Sequence, residues 1–62
     1  MALKDIMDFI DSTTIVRLFE CQENDTTFIF EGETLAIDLS LGDREIKNIS
    51  VFDNAIEIYL EY

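Results

Sequence analysis

Carboxylates are the side chains with chemistry to offer in this chain. Fourteen Asp and Glu stand against four Lys and Arg, with no His and a single Cys among 62 residues, for a formal net charge of -10. They fall into three groups. Asp5, Asp8 and Asp11 recur at three-residue spacing, on the polar side of an expected helix. Glu57 and Glu61 alternate with the apolar positions of the last segment, and Tyr59 stands between them on the same strand face. Asp25, Glu31 and Glu33 gather mid-chain with Asp38, Asp43 and Glu45, near expected turns. Rows of carboxylates imitate a phosphate backbone. They suit the basic groove of a nucleic-acid-binding protein, and electrostatic steering makes such association fast and salt-sensitive. The plainer alternative is a solubilising surface.

Other chemistry has less support. Calcium or magnesium takes oxygen ligands, and Glu31, Glu33, Asp38 and Asp43 are the candidates, but no twelve-residue loop of alternating acids around a glycine is present. No spacing singles out a carboxylate pair for acid–base hydrolysis. Without His there is no imidazole base and no Cys/His zinc set. Arg17 is the one cation within four residues of Cys21, so the thiol reads as a small buried hydrophobe. Gly32 and Gly42 are isolated and match no phosphate-binding loop. The chain therefore reads as non-enzymatic, with no cofactor and no metal site. Four cations are too few for direct binding to nucleic acid, and no apolar run is long enough to span a membrane.

One small domain, residues 1–62, must position these groups. Leu3, Ile6, Met7 and Ile10 recur at helical spacing and predict a short amphipathic helix over 3–11. Strands are expected at Ile15 to Cys21 and Thr26 to Phe30, joined by Gln22-Glu23-Asn24-Asp25 and stopped by Glu31-Gly32-Glu33. Phe28 and Phe30 would share a face. Thr34 to Leu41 alternates with Leu35, Ile37, Leu39 and Leu41 on one side, and its end could also form a helical turn. Ile46 to Phe52 and Ala55 to Tyr62 flank Asp53-Asn54, a pair suited to a two-residue hairpin. The expected fold is α+β: one short N-terminal helix packed on a four- or five-stranded, mostly antiparallel sheet. If the final strand lies at an edge, it can pair with a second copy through Tyr59 or Tyr62, giving a homodimer. Repulsion among so many acids is expected to raise some carboxyl pKa values, so that mild acidification stabilises the fold or leaves its stability flat down to about pH 5.

Both ends of the chain resemble a known class. Leu3-Lys4-Asp5-Ile6-Met7-Asp8-Phe9-Ile10-Asp11 with Thr14-Ile15-Val16-Arg17-Leu18-Phe19, and Arg44 to Asn54 running into Ala55-Ile56-Glu57-Ile58, resemble small acidic proteins carried by phages and mobile elements of Gram-positive bacteria. The stretch Gln22 to Gly42 departs from that pattern. The resemblance carries over no site residue. It implies a context, the cytoplasm of a bacterial host cell, and a class that includes anti-CRISPR inhibitors. One target that such an inhibitor would fit is a type II RNA-guided nuclease, whose heteroduplex channel is strongly positive. Two functions follow as expectations. The first is an inhibitor that binds a basic nucleic-acid-handling protein and blocks its access to DNA or guide RNA. The second is a self-associating structural module without inhibitory activity.

Overall fold

β-Branched and aromatic residues dominate two stretches near the start of the chain and two at its end, and each pair folds as a hairpin. The computed structural model describes residues 1–62. Strands β1 (Ile15–Gln22) and β2 (Asp25–Glu33) form the first hairpin, and β3 (Ile46–Phe52) and β4 (Ala55–Glu61) the second. Asp53 and Asn54 both adopt positive φ, 54° and 60°, the paired left-handed geometry of a two-residue turn that follows the twist of its strands.

The hairpins join through a parallel pairing of β1 with β4, so the sheet order is β2-β1-β4-β3. The sheet is therefore mixed and four-stranded rather than mostly antiparallel, and the final strand is central. This topology explains the segment between the hairpins. β2 and β3 are opposite edges, so residues 34–45 must cross about 14 Å of sheet, three inter-strand spacings. A strand along the sheet edge could not do that. Thr34–Leu41 instead folds as two 3-10 turns, Thr34–Ala36 and Leu39–Leu41, the second being the helical turn expected as the alternative at the end of the segment. Side-chain bonds favour them over a ladder: Thr34 Oγ1 donates to the Thr14 carbonyl at 2.8 Å, and Asp38 accepts from the Ser40 amide at 2.9 Å. Of the four alternating residues, Ile37 is buried, Leu41 is half-buried, and Leu35 and Leu39 are exposed.

Helix α1 is short, Leu3–Met7. Its first amides are met by the incoming crossover, Leu3 N–H by Arg44 O at 2.8 Å and Lys4 N–H by Gly42 O at 2.9 Å. Past Met7 the bonds tighten to three-residue spacing, Phe9 to Ile6 and Ile10 to Met7. Asp8 and Asp11 follow the C-terminal end, where the helix dipole repels negative charge, so the helix does not reach residue 11. Ile10 still packs on the core. That core is Leu3, Val16, Leu18, Ile37, Ile58 and Leu60, on one face of the sheet only. No helix is long and apolar enough to cross a membrane.

Two further differences from the sequence reading lie in β2. It runs through Glu33 without stopping at Gly32, which pairs with Val16. Here glycine makes room: a Cβ at Gly32 would stand 2.9 Å from Cζ of Phe30. Gly32→Ala should cost about 1 kcal/mol, at the low end for over-packing because the ring tip can swing aside. A melting temperature raised by this change would show that the contact is not tight. The second difference is a bulge. Leu18 pairs with Phe30, but Phe19 pairs with Phe28, so an extra residue lies between. Phe28 and Phe30 consequently lie on opposite faces.

Candidate functional site

The alternation that sends Val16, Leu18, Ile58 and Leu60 into the core sends Arg17, Phe19, Cys21, Glu57, Tyr59 and Glu61 to the other face. No helix or turn packs on it. Register fixes what stands beside what. Arg17 lies between Glu31 and Glu57, and Phe19 between Phe28 and Tyr59.

Arg17 is the hub of the first row. Its Nε donates to Glu31 Oε2 at 2.7 Å, and Nη1 donates to the Phe52 carbonyl at 3.2 Å and lies 3.5 Å from Glu57 Oε2. Asp53 Oδ2 stands 3.7 Å from Nη2. The hydrogen bond to Glu31 leads the effects that raise the Arg17 pKa, so this guanidinium is a fixed charge. The second row is aromatic. Phe19 stacks on Tyr59 with centroids 4.9 Å apart and planes 14° apart, and it meets Phe28 edge-on at 5.8 Å. Tyr59 donates its hydroxyl to Glu57 Oε1 at 3.1 Å, and that bond raises its pKa. Beyond the aromatic row, Cys21, Gln22, Glu23, Lys47, Glu61 and Tyr62 line an open depression of about 520 Å³. Cys21 is half-buried there rather than enclosed in the core.

Five of the nine residues singled out in the sequence meet on this face: Glu31, Glu33, Glu57, Tyr59 and Glu61. Part of the mid-chain group, Glu31 and Glu33, thus joins the group of the last strand. Their chemistry differs from simple phosphate mimicry, because Glu31 and Glu57 are engaged by Arg17, while Glu33 and Glu61 have no side-chain partner. Asp25 opens β2 at the hairpin end, exposed and unpaired. The expected helical row does not form. Asp5 accepts from the Ala2 amide at 2.9 Å, Asp8 lies past the helix, and Asp11 holds a turn through the Thr13 amide and hydroxyl. Nor do the cation candidates converge: Asp38 holds its own turn and Asp43 pairs with Lys4 at 2.8 Å, away from Glu31 and Glu33. The sequence reading missed Arg17, Phe19 and Phe28 as members of the face. Strand parity from Tyr59 would have found the first two, had the parallel pairing been foreseen.

Four of the acids shift opposite to the expected direction. Hydrogen bonds hold four carboxyls below their ordinary range: Asp11 through the Thr13 amide, Glu20 through Arg44, Asp38 through the Ser40 amide, and Asp43 through Lys4. A depressed folded-state pKa contributes stability that is fully present above the unfolded value and is lost as pH falls through the folded one. These four groups therefore give a level melting temperature from pH 7 to about 5 and a falling one below about 4.5. Glu20→Gln should flatten part of that acid limb. A melting temperature that climbs on acidification to pH 4 would instead mean that repulsion dominates.

No family model, curated protein or solved structure matches this chain.

Proposed function

We propose that this chain is a non-enzymatic binding protein that docks its open sheet face on a basic, nucleic-acid-handling protein and inhibits it. The observation that carries this reading is the composition of that face. Five carboxylates, those of Glu31, Glu33, Asp53, Glu57 and Glu61, stand against one guanidinium around a row of three aromatic rings. Aromatic rings at the centre of a patch and carboxylates at its rim match the anatomy of a protein interface, with apolar anchors inside and steering charge outside. Arg17 keeps the middle of the row from being uniformly negative, so the free charge sits at Glu33 and Glu61. A basic groove would meet acids on both sides and rings between.

The resemblance of the chain ends to small acidic phage proteins, a class that includes anti-CRISPR inhibitors, makes a type II RNA-guided nuclease the first target to test. DNA cleavage is followed with the chain added at low and at high salt. Inhibition that weakens as salt rises is expected, because the screening length is about 8 Å at physiological ionic strength. Neutralising Glu33→Gln and Glu61→Gln together should slow association roughly tenfold, whereas Asp8→Asn, on the opposite layer, should change it little. Phe28→Ala, at a residue 55% exposed, should speed dissociation instead. Binding to basic partners that ignores salt, the Glu33→Gln and Glu61→Gln double change and Phe28→Ala overturns the reading.

A further inference from the structure

The two edges of the sheet are built differently. Edge β2 carries Asp25, Glu31 and Glu33 and is broken mid-strand by its bulge, which are common ways of keeping an edge from pairing. Edge β3 carries no acid in a chain of net charge -10. Its ladder with β4 is regular from Asn48 to Phe52, between a register shift at Lys47 and the turn at Asp53. The N-terminal segment covers β3 only at its start, where the Ile46 amide donates to the Met1 carbonyl at 2.9 Å, and on the core side of the regular stretch Ile49 and Val51 remain 43% and 76% exposed.

We propose that β3 pairs antiparallel with β3 of a second copy of this chain, about a two-fold axis at Ser50. That axis is the midpoint of the regular stretch, and the pairing it generates is self-complementary. Val51 of each copy faces Ile49 of the other, on the same side of the sheet. Phe52 faces Asn48 on the open side. At the two ends Lys47 meets Asp53 of the second copy, an attractive pair, and Asp53 has a side chain 72% exposed and accessible to it. The result is a continuous eight-stranded sheet in which the acidic, aromatic face stays open on both copies. A five-residue edge is short beside the roughly 800 Å² per partner of a standard interface, about a fifth of the 4155 Å² surface here, so a weak dimer is expected.

Light scattering of the full chain over a concentration series tests this without any binding partner. The mass should rise from 7.2 kDa towards twice that value. Added salt should favour the dimer by screening net repulsion between copies. Val51→Lys should weaken association roughly tenfold or more, since it sets a charge against Ile49. Ile29→Lys, on edge β2, should leave it unchanged. In the unaltered chain, amide exchange in Asn48–Phe52 should slow as concentration rises, while β2 exchange does not. A mass of 7.2 kDa at every concentration, a dimer that survives Val51→Lys in a folded chain, or concentration-dependent protection on β2 instead of β3 would each overturn the proposal.

Discussion

Ile58→Ala should remove a large share of the stability of this domain. Ile58 is 0% exposed and lies mid-strand in β4, which has a strand on each side, so its side chain is enclosed by Leu3, Leu18 and their neighbours. Truncation deletes three carbons from a site that cannot collapse, because the backbone around it is held by ladders on both flanks. Such changes cost about 2–5 kcal/mol, and a domain of this length holds roughly 3–9 kcal/mol in total. The measurement is denaturant unfolding followed by circular dichroism. A substantial unfolded fraction in plain buffer is expected at the upper end of that range. By contrast, Ile49→Ala, on the edge strand and 43% exposed, should cost much less. Equal losses at the two positions would mean that β4 is not the centre of the sheet.

That centrality was the least legible feature of the sequence. Each hairpin could be read from its own residues, since β-branched runs, the Asp53-Asn54 pair and the parity of Ile56, Ile58 and Leu60 are local signals. The pairing of β1 with β4 is not local. It brings Val16 beside Ile56 across forty positions, and nothing in either strand alone distinguishes a parallel neighbour from an edge. The strand expected over Thr34–Leu41, where only the helical turn at its end forms as an expected alternative, fails for the same reason. Its alternation of Leu and Ile is real, but the need to cross the sheet overrides it, and Thr34 and Asp38 supply the hydrogen bonds that make turns cheaper than a ladder. Propensity is a weak prior where topology decides.

The site was half legible for a related reason. Glu57, Tyr59 and Glu61 were placed on one face by period-two counting alone. The bulge between Phe28 and Phe30 leaves no mark in composition, yet it turns Phe28 onto the open face and completes the aromatic row. Counting charges also concealed how they are used. Of the acids near β1, Glu20, Glu31, Asp53 and Glu57 all answer to Arg44 or Arg17, so two guanidinium groups organise four carboxylates. The two arginines, and not the two lysines, stand where strands meet.

Arg17→Met should therefore destabilise the chain more than Lys4→Met or Lys47→Met, although each removes one positive charge. Lys4 pairs with Asp43 across two well-exposed side chains, a geometry worth little, and Lys47 has no ionic partner. The Arg17 side chain is 20% exposed, and its departure leaves Glu31, Glu57 and Asp53 facing one another with a part-buried Glu57 unpaired on the guanidinium side. It also releases the Phe52 carbonyl, which ties β1 to the turn between β3 and β4. Methionine keeps the stem and its packing, so the change isolates the charge. Two rescues follow from that cause. Adding Glu57→Gln to Arg17→Met should recover part of the lost melting temperature, because an amide removes the repulsion and still accepts from Tyr59. High salt should recover part of it as well, by screening the remaining acids. Neither treatment should stabilise the unaltered chain as much, since there the same carboxylates are already compensated. If Glu57→Gln worsens the Arg17→Met variant, the loss comes from the vanished hydrogen bonds and not from charge. The open face would then be held together by geometry, with its carboxylates free to serve a partner.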